Sequence, residues 1–126
     1  MFPKEGIVRF EYDGQEICQV AFGPGDLQIG ATNDVRIMLE NHAELTLNGK
    51  RFEFVVGEWR GVPEVLVGLL GQGLRSLQID GAVLTVELSD GHLVATDSGL
   101  EPWTLNLPGS PSFIVGRGGD EPMIWD

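Results

Sequence analysis

The residues that could carry chemistry are few: two histidines, one cysteine and a surplus of carboxylates in a chain of 126 residues. His92 follows Asp90 by two residues and precedes Asp97 by five, so a hydrogen-bonded carboxylate and imidazole can be drawn. Both acids, however, fall where a hairpin needs turn and edge residues, and the expected role of His92 is a solvated hairpin side chain. His42, in "ENHAE", reads as a loop residue. No second His or Cys has the spacing of a zinc ligand, so no metal site is expected. Cys18 alternates with Glu16 and Val20 along a strand and has no histidine partner, which predicts a buried, inert thiol. Ser76 lies inside an apolar strand pattern, and the G-x-S-x-G turn that would expose a nucleophile is missing. The glycines of "GLLGQG" close a helix pattern instead of opening one, whereas a phosphate needs free amides at a helix beginning. The expectation is a protein that is not an enzyme and holds no cofactor.

Recognition is the better lead. The chain has 19 acidic and 8 basic residues, a formal net charge of -11, and the excess is steeper after residue 61, where only Arg75 and Arg117 are cationic. Such a field repels nucleic-acid phosphate and attracts basic partners. Trp59 sits between Glu58 and Arg60 in "GEWRG", the setting of an interface anchor, although burial is the commoner fate of so large an apolar group. Glu58, Trp59, Asp97 and Glu101 are therefore the candidate partner-binding residues. No uninterrupted apolar run of spanning length occurs, and Lys4 is followed at once by Glu5 and Gly6 instead of a signal-peptide core, so no membrane and a cytoplasmic setting are expected.

Strands must position these residues. "IVRFEYDGQEICQV", "ELTLNGKRFEFVV" and "LTVELSDGHLVAT" alternate apolar and polar residues around Asp13-Gly14, Asn48-Gly49 and Asp90-Gly91, pairs that suit tight hairpins. In the second, Leu45, Leu47, Phe52 and Phe54 share one face, with Glu44, Thr46, Arg51 and Glu53 on the other. The tail offers two further strands, "SFIVG" and "PMIW". One helix is expected over about residues 62–71, where Val62, Val65, Leu66, Leu69 and Leu70 recur at helical intervals behind Pro63. With almost no polar side it should be largely enclosed against a sheet.

The chain also repeats itself. A shift of 57 residues brings Gly14-Gln15 onto Gly71-Gln72, Ile17 onto Leu74, Val20 onto Leu77, Leu27 onto Leu84 and Ile29 onto Val86. With one residue added, Leu45-Thr46-Leu47-Asn48 falls on Trp103-Thr104-Leu105-Asn106. This predicts a single domain of about ten short strands, mainly β (α+β), in which two pseudo-repeated antiparallel meanders, about 7–56 and 71–126, are joined by the helix packed across them.

"VPEVLVGLLGQGLRSL", "LTVELSDGHLVAT", "EPW" and the closing "MIW" together resemble a small bacterial family of β-rich domains akin to the immunity proteins encoded beside secreted toxins. The resemblance spans about residues 14–126, and the segment "SPSFIVGRGGDEP" departs from the pattern. It implies a non-enzymatic protein that neutralises a basic toxin by direct contact, and it carries over no catalytic residue. Two other classes stay open: a structural β domain that self-associates into a homodimer through its sheet edges, and a small-molecule binder or enzyme with a pocket between helix and sheet.

Overall fold

The computed structural model describes residues 7–96, 102–109, 111–117 and 120–125. They form β1 (Ile7–Phe22), β2 (Leu27–Ala31), β3 (Arg36–Leu39), β4 (His42–Leu47), β5 (Lys50–Val55), β6 (Gly73–Asp80), β7 (Val83–Leu88), β8 (Gly91–Ala95), β9 (Trp103–Asn106), β10 (Phe113–Arg117) and β11 (Asp120–Trp125). All eleven belong to one open antiparallel sheet, in the order β11-β10-β9-β3-β2-β1-β6-β7-β8-β4-β5. The protein is thus mainly β. Among the described residues a single short helical segment, α1 (Pro63–Leu66) with one 3-10 turn over Val67–Leu69, links β5 to β6.

Period-two patterning explains how the sheet builds a core. Along β7, Leu84, Val86 and Leu88 are buried while Val83, Thr85 and Glu87 are half-exposed. Leu27, Ile37 and Leu105 from the β2-β3-β9 wing meet Leu45, Leu77 and Leu84 from the β6-β7-β4 wing in one apolar cluster. The wings therefore share a core. Two indoles tie them at its ends: Trp103, fully buried on β9, donates its Nε1–H to the Ala82 carbonyl at 2.7 Å in the β6–β7 turn. Trp59, which follows β5, donates to the Gly23 carbonyl at 2.6 Å in the β1–β2 turn.

Leaving β11 aside, the sheet order is unchanged, read backwards, when β1 to β5 are exchanged for β6 to β10. The ladders agree residue by residue: Ile17↔Ala31, Val20↔Ile29 and Phe22↔Leu27 in β1–β2 match Leu74↔Leu88, Leu77↔Val86 and Ile79↔Leu84 in β6–β7, each 57 positions on. A polar clasp is duplicated with them. Thr32 Oγ1 donates to Gln15 Oε1 at 2.9 Å and accepts the Glu16 amide at 3.1 Å. In the other half Ser89 Oγ donates to Gln72 Oε1 at 3.1 Å and accepts the Gly73 amide at 2.9 Å.

Each half opens as a three-strand meander and gives its last hairpin to the other: β4–β5 is added to β8, and β9–β10 to β3. The ladders also refine the echo between the two terminal strands. Leu93↔Leu45 corresponds to Ile37↔Leu105, and Ala95↔Ala43 to Leu39↔Trp103, so Trp103 stands where Ala43 does and not where Leu45 does. A two-residue offset leaves every side chain on its original face, which is why the sequence pattern tolerated it.

Of the three expected hairpin turns, one is borne out and two are corrected. Asp13-Gly14 makes no hairpin: Gly14, at φ 73, forms an irregularity inside the continuous β1, whose Ile7–Glu11 and Gln15–Glu16 segments both pair with β6. Positive φ at glycine serves a bulge as readily as a turn. Asn48-Gly49 does form the expected tight turn, with φ of 53 and 81. In the third hairpin the loop is Ser89-Asp90, and Gly91 already pairs with Leu88. A Cβ on Gly91 would collide with the Thr46 carbonyl of β4.

The helix is shorter and less enclosed than its periodicity predicts. Val62, Leu66 and Leu69 are buried, but Val65, Val67 and Leu70 are exposed large apolar residues. The N-cap is Val62, with no capping side chain, and the chain tightens into the 3-10 turn at Gly68. There a Cβ would sit 3.4 Å from the Leu47 side chain, so glycine lets the turn press against β4.

Candidate binding face

β5 and the loop after it assemble the most promising surface. Gly57, at φ 96, lets the backbone pass the Pro24 carbonyl, which a Cβ would approach to 2.9 Å. Glu58 is exposed, and its amide donates to the Val55 carbonyl at 3.0 Å. Trp59 is half-buried: besides its bond to Gly23 it packs edge-on against Phe22, with ring centroids 5.2 Å apart. This indole fastens the loop to the opposite wing, and its neighbour Glu58 is the more accessible of the two.

Beside this loop runs a groove of about 430 Å³ lined by Phe52, Phe54, Val55 and Val62, with Glu53 and Glu58 and also His42 and Arg60 among its polar residues. Phe52 is shared with a second groove of about 380 Å³, lined further by Leu45, Leu47, Lys50, Arg51 and Val65. Phe52 and Phe54 stack with centroids 6.0 Å apart. An apolar trough with carboxylates at its side suits the aliphatic stem and cationic head of a lysine or arginine.

Charge on the outer face of this hairpin is organised by Arg51. Glu44 and Glu53 stand directly opposite each other across β4–β5, a like-charge pair that the Arg51 guanidinium relieves by bonding to Glu44 and, at 2.9 Å, to Glu53. The hydrogen bond from Arg51 holds the Glu44 carboxyl below its usual range, and the same bond raises the arginine. Arg9 is likewise engaged, 3.7 Å from Glu11, and Arg36 donates to Gln19 at 3.3 Å.

The four sequence-predicted site residues divide. Glu58 lines the groove, Trp59 beside it is turned to Gly23 and Phe22 and is not among the lining residues, and Asp97 and Glu101 lie outside the described residues. Phe52 and Glu53 were not singled out from sequence, because only the strand order reveals that β5 is an edge. His92 lies on β8 opposite Thr46 and Glu87, half-buried, and Asp90 is held by Gln72 instead, whose Nε2 donates to it at 3.0 Å. His42 is the first residue of β4 and no loop residue. Cys18 is exposed, contrary to expectation, because the β1–β2 register breaks between Ile17 and Gln19 and leaves it as the extra residue on the strand. Ser76 does lie within a strand, β6, fully buried with its hydroxyl unpartnered. Among the described residues, no three His, Cys, Asp or Glu side chains are grouped to hold a metal ion, and no helix is long and apolar enough to cross a membrane.

No family model matches the chain, and neither a curated protein nor a solved structure shows significant similarity to it.

Proposed function

We propose that this is a non-enzymatic binding protein whose acidic exterior engages a basic protein, most specifically an immunity protein that neutralises a basic bacterial toxin in the cytoplasm. The observation that carries the reading is the groove beside β5, where Glu53 and Glu58 flank an apolar trough in a chain of net charge -11. A partner lysine or arginine would lay its stem on Phe52 and Val62 and direct its charge to the two carboxylates. The surrounding negative field would speed the encounter. Asp97 and Glu101 would extend the same recognition.

Two measurements test this. Cells producing a toxic product of the adjacent gene should survive when this chain is co-produced, and Glu58→Lys should reduce that protection. In a pull-down with the purified pair, capture should weaken as salt rises, since screening shortens to about 3 Å near molar salt. Capture indifferent both to salt and to Glu58→Lys would overturn the reading.

A further inference from the structure

The pseudo-twofold arrangement gives every strand of one wing a counterpart in the other, with one exception: β10 is covered by β11, while its counterpart β5 ends the sheet. The chain itself therefore shows what this edge position accepts, an antiparallel strand that sets Ile124 opposite Ile114. Through the ladders Leu45↔Phe52 and Leu105↔Ile114, Phe52 is the residue equivalent to Ile114. β5 does carry charge, in Lys50, Arg51 and Glu53, but of both signs, so it opposes only those registers that set like charges against each other. It has no proline and its ladder with β4 is regular, whereas the other edge strand, β11, contains Pro122.

The two-residue Asn48-Gly49 loop makes Leu47↔Lys50 the closing hydrogen-bonded pair, so Leu45↔Phe52 and Ala43↔Phe54 also exchange bonds. The backbone groups of Arg51 and Glu53 consequently point away from β4. At the far end, the Val55 carbonyl is occupied by the Glu58 amide.

We propose that β5 pairs antiparallel with β5 of a second copy of this chain, centred on Phe52. The charge pattern selects that centre. It sets Arg51 opposite Glu53 of the second copy, and Glu53 opposite its Arg51, as the two hydrogen-bonded pairs. Centring on Arg51 would oppose two arginines, and centring on Glu53 two glutamates. At the Phe52 centre the two phenyl rings meet on the face that carries the apolar groove of Leu45, Leu47 and Val65. The dimer would use Phe52 and Glu53, which the basic-partner reading also uses, so the two would compete for this edge; the dimer is tested on the purified chain alone, so either can fail without the other.

Sedimentation equilibrium from low micromolar to millimolar protein should show a monomer–dimer equilibrium. Amide exchange at Arg51 and Glu53 should slow as the dimer forms. Arg51→Glu, which sets two glutamates against each other twice, should weaken the dimer about tenfold or more, and the charge-exchanged Arg51→Glu/Glu53→Arg chain should recover most of that loss. Glu53→Pro, which removes an outward N–H, should abolish it, with circular dichroism confirming that the variants are folded. A monomer at every concentration overturns the proposal. So does a dimer with unprotected Arg51 and Glu53 amides, or one as tight in Arg51→Glu as in the parent.

Discussion

Replacing Trp103 by phenylalanine tests the account of how the wings are held together. The indole is fully buried, and its Nε1–H is the partner of the Ala82 carbonyl, itself in a buried residue. Phenylalanine cannot donate that bond. Leaving a buried acceptor unsatisfied costs about 1–3 kcal/mol, and the smaller ring leaves a void that the close-packed core fills only partly. Together these place the loss near 3 kcal/mol, below the roughly 3–5 kcal/mol typical of truncating a buried aromatic residue to alanine. Trp59→Phe is the internal control: it loses the analogous bond to Gly23, but both groups are half-exposed, so water can replace the donor and the cost should be about 1 kcal/mol. Urea unfolding of the three chains gives both differences, provided the slopes agree. Equal destabilisation by the two substitutions, or a cost below about 1 kcal/mol for Trp103→Phe, would refute the claim that a buried indole–turn bond joins the wings.

Three other outcomes follow from the geometry. Gly91→Ala should destabilise by more than about 2 kcal/mol, because the new methyl group meets the Thr46 carbonyl of a paired strand, while Gly25→Ala, with open space around it and φ outside the left-handed region, should be near neutral in the same thermal unfolding assay. The lowered Glu44 carboxyl contributes stability that is fully present above its unfolded value and lost as pH falls through its folded one. The gap in denaturation midpoint between the parent and Glu44→Gln should therefore close on acidification below the ordinary value of 4.5, and a gap that widens would reverse the sign of the Arg51 interaction. Cys18, being exposed, should react stoichiometrically with a thiol reagent in the native protein, and resistance until unfolding would contradict the bulge that displays it.

Much of the fold was legible because strand patterning is local. Leu45 and Phe54 are buried and Arg51 and Glu53 exposed as their alternation predicts, and Asn48-Gly49 turns where it should. What failed is what depends on the partner. Gly14 has the positive φ that its Asp-Gly pair announces, but whether such a residue reverses a strand or kinks it depends on β6, more than fifty residues away. Cys18 alternates correctly with Glu16 and Val20, and a single extra residue in the ladder overrides the count. In the helix, periodicity marked Val62, Leu66 and Leu69 well, but it had no means of limiting the buried stripe to them once Gly68 tightened the turn. The candidate site was half legible: the loop composition announced Glu58 and Trp59, whereas Phe52 and Glu53 acquire their importance from the strand order.

Hairpin exchange explains why that order matters. If each half had kept its own last hairpin, β4–β5 would have lain on β3 and β9–β10 on β8, giving two meanders joined only through β1 and β6. Instead β3 is completed by β9 and β8 by β4, so neither half can cover its third strand until the whole chain has been folded together. Such distant pairings raise the entropic cost of closing the sheet before contacts reward it, and they bind the two repeats into one cooperative unit. With or without the exchange, the ends of the ten-strand repeat are β5 and β10, at opposite extremes of the strand order. β11 covers one of them, and among the described residues no strand covers the other. The unpaired edge at β5 is thus what remains when a twofold design is completed on one side only, and its alternating Arg51-Phe52-Glu53 makes a second copy of the same edge a chemically matched way to complete it.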